Sequence, residues 1–72
     1  MELNATEKKI LLLICKEKPN KEIASILYIS KRMVDYHVTS ILGKFNVATR
    51  VGAAVFALQN QIITSEEMNE NV

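Results

Sequence analysis

Between Ser30 and Phe45 the apolar residues Val34, Val38, Ile41, Leu42 and Phe45 recur at steps of three and four. Side chains so spaced return to one side of a helix, so the segment predicts a helix with a single buried stripe. Ser30 offers an oxygen to the free N–H groups of the first turn and stands as the N-cap, with Lys31 and Arg32 directly behind it. Cations in a first turn oppose the helix dipole, which points to an external anion that offsets the repulsion. The side away from the stripe carries Arg32, Asp35, Tyr36, Thr39 and Gly43 as one continuous strip. Hydrogen-bonding groups on a helix that begins with cations suit the major groove of DNA, which is wide enough to admit a helix.

The stripe must be covered, and 72 residues hold one core and no second. Upstream, Asn4-Ala5-Thr6-Glu7 has the capping-box pattern with Asn in place of Ser or Thr, so a helix starts at about Ala5. Ile10, Leu11, Leu13 and Ile14 give it a broad apolar face, while Leu12 falls outside the tightest stripe and is expected at the surface. Pro19 stops this helix at Lys18, since the residue before a proline avoids helical geometry. Asn20 is expected to cap a second, short helix reaching Leu27, with Ile23, Ala24 and Leu27 turned inward. Only Tyr28-Ile29-Ser30 then separates it from the long helix. A connector that short favours a steep crossing, the helix-turn-helix arrangement, although an arbitrary helical hairpin fits the spacing equally well.

Beyond Phe45, Asn46 suits the left-handed residue that closes a helix, and Thr49 suits the cap of the next. The segment from Val51 to Asn60 is apolar on two sides, with Val51, Ala54, Val55, Leu58 and Ile62 on one and Ala53, Phe56 and Ala57 on the other. A single core covers one of them, so the other predicts a second copy of the chain, with Ala53, Ala54 and Ala57 small enough to admit a close neighbour. The alternative is a helix central to the core and covered within the monomer. From Thr64 to Val72 the chain is polar and acidic and is expected to fray.

Charge is unevenly placed. The net formal charge is +1, but Lys16, Lys18, Lys21, Lys31, Arg32, Lys44 and Arg50 face only Glu17, Glu22 and Asp35 in the middle of the chain. Glu66, Glu67 and Glu70 offset them from the tail, so a basic region and an acidic one are separate. The longest apolar run, Ile10 to Cys15, falls far short of the roughly 20 residues of a membrane span, and the last helix has no cation flanking its apolar face after Arg50. No membrane is expected as a partner, and the expected location is cytoplasmic. One cysteine, Cys15, and one histidine, His37, make neither an internal disulfide nor a metal cluster, so no cofactor or metal is expected. Cys15 reads as a small core filler, and His37 as the rim of the buried stripe, tied to a backbone group, in preference to a phosphate contact. There is no nucleophile beside a base, no pair of carboxylates in a shaped site and no glycine-rich phosphate loop, so no enzyme is predicted.

Taken together, Leu3, Glu7, Asn20-Lys21-Glu22-Ile23-Ala24, Ile29-Ser30, Val34, His37-Val38, Ile41-Leu42, Lys44, Val47 and Arg50 closely resemble the LuxR-type helix-turn-helix domain, also called the GerE type. The resemblance runs without gaps from Leu3 to Ile63. It implies an all-α, four-helix bundle containing a helix-turn-helix, with helices at about 5–18, 20–27, 30–45 and 49–60, in residues 1–63, followed by the tail 64–72. Members of the family are the DNA-reading end of bacterial transcription regulators, mostly behind another domain. Met1 directly before the domain makes this chain look like the rarer stand-alone kind, unless it is an excised fragment.

The family likeness also implies residue roles. Asp35, Tyr36 and Thr39 stand where base edges are touched. Lys21, Ser30, Lys31, Met33, Lys44 and Arg50 stand where the phosphate backbone is approached or the fold is braced beside it, and Arg32 joins them from its place in the first turn. Val51, Ala54, Val55 and Leu58 lie on the helix that pairs with its twin. Three positions depart from the pattern: Asp35 is more often basic, Met33 more often Thr, and Gly43 often a cation. An aspartate can accept from a cytosine amino group, but it also repels phosphates. The expected partner is double-stranded DNA, bound as a homodimer. The rival is an antagonist that pairs with a related DNA-binding regulator as a heterodimer and binds DNA poorly itself.

Overall fold

Five helices follow one another, α1 (Ala5–Cys15), α2 (Asn20–Leu27), α3 (Lys31–Phe45), α4 (Arg50–Gln59) and α5 (Ser65–Met68), in a computed structural model that describes residues 2 to 70. Met1, which carried the stand-alone expectation, and residues 71 and 72 of the expected tail lie outside the described residues. The all-helical class and the close succession of α2 and α3 across Tyr28, Ile29 and Ser30 are as expected, and the described residues contain no strand.

The local signals that start the helices work as their chemistry requires. Asn4 accepts from the Glu7 amide at 2.8 Å while the Asn4 amide donates to Glu7 Oε1 at 3.1 Å, a complete capping box. Ser30 Oγ accepts from the Met33 amide and Thr49 Oγ1 from the Gly52 amide, at 3.1 and 3.0 Å. Asn20 is a correction: Pro19 occupies the cap position of α2 without a side-chain bond, and Asn20 is the first helical residue, its amide free for other work.

The ends follow one device. Glu17, Tyr28, Asn46 and Gln61 all have φ between 56° and 62°, the left-handed conformation, and each closes the helix before it. The Lys18 amide reaches back to the Leu13 carbonyl and Val47 to Leu42, at 3.0 and 3.1 Å, the six-to-one bond of a Schellman ending. This corrects the first boundary. Glu17 turns left-handed before Pro19 is reached, so α1 ends at Cys15 rather than at Lys18. It also corrects Ile62, which the turn at Gln61 carries off the α4 face and half-buries against the core.

The α3 stripe is buried as predicted, with Val34, Val38, Ile41 and Phe45 inside and Leu42 half-buried beside them. Ile10, Leu11, Leu13 and Ile14 from α1, Ile23 and Ala24 from α2, and Ala53 and Ala57 from α4 close around it. Phe45 stacks on Phe56 with ring centroids 4.5 Å apart, which fastens α3 to α4. Leu12 packs against this core instead of standing exposed. Cys15 is a buried free thiol, and burial pushes its pKa up.

The tail expected to fray forms the single turn α5, because Thr64 and Glu67 make a second capping box and Met68 packs on the core. Lys16 Nζ donates to the Glu70 carbonyl and ties the segment back to α1. No helix among the described residues is long and apolar enough to cross a membrane.

Candidate nucleic-acid interface

A helix buried on one side by three others must leave the other side somewhere. On α3 the residues Arg32, Tyr36, Thr39 and Gly43 are all exposed, with Asp35 half-buried at their edge. Tyr36 keeps two thirds of its surface in water, 66%. Among the described residues no side chain hydrogen-bonds to Arg32, Tyr36 or Thr39, so these three are uncommitted within the chain, unlike Asp35 at their edge. The rings of Tyr36 and His37 meet in a T-shaped arrangement, centroids 5.4 Å apart. His37 itself departs from expectation: its Nδ1 is buried but has no hydrogen-bond partner among the described residues, rather than being tied to a backbone group.

The starts of the helices separate into two kinds. The first turns of α1, α2 and α5 contain a carboxylate, Glu7, Glu22, and Glu66 with Glu67. Those of α3 and α4 contain none and instead begin with Lys31 and Arg32, and with Arg50. A positive helix end next to cations is a favourable place for an anion. Lys21, Ser30, Lys31 and Arg32 are all exposed, clustered at the starts of α2 and α3.

Not every cation is free for an outside partner. Lys31 Nζ lies 3.2 Å from Asp35 Oδ2, one turn along its own helix. The other oxygen of Asp35, Oδ1, accepts from Asn20 Nδ2 at 2.8 Å. The Asn20 amide first and then Lys31 hold the Asp35 carboxyl below the usual aspartate range, partly opposed by burial. Each oxygen keeps a second lone pair, so a base amino group can still be accepted.

Lys44 and Arg50, both expected at phosphates, are given bracing contacts that no short-range pattern announces. Lys44 Nζ donates to Glu7 Oε1 at 2.7 Å and to the Glu2 carbonyl at 3.0 Å. Glu7 is 3% exposed, and Ser40 Oγ donates to its second oxygen at 2.9 Å. Lys44, followed by the Asn4 amide and Ser40, keeps the Glu7 carboxyl below the usual glutamate range against the upward push of burial. Arg50 donates from Nη1 to Asn20 Oδ1 and from Nη2 to the Lys18 carbonyl, both at 2.6 Å. A phosphate contact from either cation therefore has to use the donors left over.

Sequence reasoning missed Asn20, Glu7 and Ser40 as parts of this arrangement. For Glu7 a signal existed: Ser40 and Lys44 are four apart on α3, flanking the buried Ile41, and so form a polar edge facing α1. For Asn20 the only local pattern was that of a cap.

The expected pairing face has a plain geometry. Val51, Val55 and Leu58 recur at helical spacing on α4 and are 70%, 48% and 42% exposed, while Ala54 between them is half-buried. With Ile14, Cys15 and Pro19 they line a shallow apolar groove between α4 and the end of α1. Ala53 and Ala57 occupy the opposite side, fully buried. Among the described residues no group of three His, Cys, Asp or Glu side chains is placed to hold a metal ion.

The family described as bacterial regulatory proteins, luxR family, matches residues 1–57. Over 58 residues the chain is 45% identical to the uncharacterized transcriptional regulatory protein YhcZ of Bacillus subtilis (strain 168), covering 81% of this chain and 27% of that one. It is 43% identical over 61 residues to the transcriptional regulatory protein LiaR of the same organism, and to the response regulator protein VraR of Staphylococcus aureus (strain NCTC 8325 / PS 47). Each of those two alignments covers 85% of this chain and 29% of the relative, so the chain spans under a third of the length of these proteins.

Proposed function

We propose, from the premise that the chain belongs to the luxR family of bacterial regulatory proteins, a family of regulators and not of enzymes, that it binds specific duplex DNA to control transcription. In this reading α3 lies in the major groove with Asp35, Tyr36 and Thr39 at base edges. Lys21, Ser30, Lys31 and Arg32 approach the phosphates, and Lys44 and Arg50 stand beside the backbone chiefly as braces. Two copies pair through Val51, Ala54, Val55 and Leu58, and their α3 helices reach half-sites about one turn, roughly 10 base pairs, apart.

The observation that carries this reading is the uncommitted run of Arg32, Tyr36 and Thr39 on α3, opposite a face clamped by α1, α2 and α4 and next to a first turn without carboxylates. Selection of bound duplexes from random DNA with the purified chain tests it. Enrichment of a two-fold-related site with that spacing is expected. Recovery of random sequence, with equal retention of every duplex in a mobility shift at moderate salt, contradicts it.

One observation favours the rival, an antagonist that forms a heterodimer with a related regulator. Lys31, Lys44 and Arg50 all have partners within the chain, which lowers the number of free phosphate contacts. Each neutralised phosphate adds about 0.9 to the slope of log affinity against log salt, so a slope near zero, with co-purification of another regulator, selects the antagonist. A homodimer that holds a selected site with a slope of several units selects DNA reading.

A further inference from the structure

Asn20 has no duty to its own helix. Pro19 holds the cap position of α2, and the Asn20 side chain accepts no bond from the first turn. It lies instead between two groups of opposite charge that do not pair with each other. Its Nδ2 donates to Asp35 on α3 at 2.8 Å, and its Oδ1 accepts from Arg50 on α4 at 2.6 Å. The polarity is compulsory: a carboxylate only accepts and a guanidinium only donates, so an amide fits in one orientation. Arg50 also holds the Lys18 carbonyl at 2.6 Å, so one guanidinium grips the chain on both sides of Pro19.

We propose that Asn20 is a positioning residue for DNA reading, the relay through which the first turn of α4 sets where the Asp35 carboxylate sits on the outer face of α3. It rests on the reading of α3 as the base-contacting helix. Held by Asn20 through Oδ1, Asp35 offers Oδ2 to Lys31, whose ammonium keeps further N–H donors for a phosphate. Removing the amide leaves Asp35 to swing with Lys31. Discrimination between bases then falls, while attraction to any duplex does not.

The test uses Asn20→Ala and Asn20→Asp in fluorescence anisotropy, on the duplex that the wild-type chain selects from random DNA and on a scrambled duplex, with thermal melts to confirm folding. Asn20→Ala is expected to lower affinity for the selected site about tenfold, the cost of one mismatched contact, and to leave the scrambled duplex within about twofold. Asn20→Asp, which sets a second carboxylate against Asp35, loses at least as much. A purely structural role predicts equal losses on both duplexes, in step with the melting temperature, and that result overturns the proposal. A second arm places Asp35→Ala in the wild-type and Asn20→Ala backgrounds. With Asn20 present it reduces the preference; in the Asn20→Ala background it adds less than about twofold, because the carboxylate is already unaimed. Additive losses overturn the relay. If the wild-type chain itself prefers no duplex, it is the reading of α3 that has failed, and the wild-type arm alone shows this before any variant is compared.

Discussion

The outer faces of α3 and α4 are both uncovered among the described residues, and they carry different chemistry. The open side of α3 carries Arg32, Tyr36 and Thr39, groups that donate, accept or stack; that of α4 carries Val51, Val55 and Leu58. Both bury apolar residues, Val34, Val38, Ile41 and Phe45 on α3 and Ala53 and Ala57 on α4, so the presence of a buried apolar side does not tell the helices apart. What differs is the kind of partner each outer face can pair with at a gain. An apolar face gains by removal from water, which another apolar face provides. A hydrogen-bonding strip gains only where its donors and acceptors are matched, as base edges and phosphates match them.

Charging the α4 face should break the comparison most completely. Val55→Glu, at the middle of that face, should abolish pairing in analytical ultracentrifugation. It should also lower affinity for a two-half-site duplex on the order of 100-fold, since each copy then binds without the effective concentration its twin supplied. A single half-site should be bound nearly as before. Equal losses on both duplexes would mean that the apolar face is not where the copies meet.

Glu7→Gln is aimed at the clamp beneath α3. Breaking a buried ion pair costs about 3–5 kcal/mol, and this one should cost somewhat less, about 2–3 kcal/mol, because Lys44 keeps a third of its side chain in water. The pH dependence has a definite direction. The Glu7 carboxyl lies below its unfolded value, so its contribution is complete above the unfolded value and is lost as pH falls through the folded one. Wild-type melts should therefore weaken on acidification through and below the ordinary glutamate range. Glu7→Gln should be flatter there, and a parallel pair of curves would remove Glu7 from the clamp.

Tyr36→Ala and Arg32→Ala sharpen the comparison within the α3 strip. Tyr36→Ala should cost about 1–3 kcal/mol on the selected site and relax its sequence. Arg32→Ala should weaken all duplexes alike and reduce the salt slope by about 1. The smallest effect belongs to Gly43, where an added Cβ meets nothing within 4 Å. Gly43→Ala should raise stability by up to about 1 kcal/mol in denaturant titration, without changing which duplex is preferred.

These residues also show how far sequence alone reaches. The stripe on α3, the caps at Asn4, Ser30 and Thr49 and the left-handed Asn46 were legible because each is decided within about four residues of chain, where helical spacing and backbone bonding suffice. So was the second apolar side of α4. Asn20 was misread because its bonding partners lie 15 and 30 residues away, on two other helices, while its nearest neighbours present the pattern of a cap. Glu7 was half legible: its capping role is local, but its partner Lys44 is 37 residues distant. The early end of α1 and the displacement of Ile62 both come from a non-glycine residue in the left-handed conformation, Glu17 and Gln61. That geometry costs roughly 1–2 kcal/mol and is adopted only where the packed helices demand it, so no composition signal marks it. Of the candidate interface, the exposed strip was visible beforehand; the internal partners of Lys31, Lys44 and Arg50, which govern how many cations remain for DNA, were not.

The difference between the two open faces is tested most directly by titrating the isotopically labelled chain with its selected duplex and following backbone amide shifts residue by residue. If the outer strip of α3 reads the bases, the largest changes gather at Lys31, Arg32, Tyr36 and Thr39, with Lys21 beside them, and those of Val51, Val55 and Leu58 stay small. Large changes confined to the α4 face, or changes spread evenly over the surface, would contradict it.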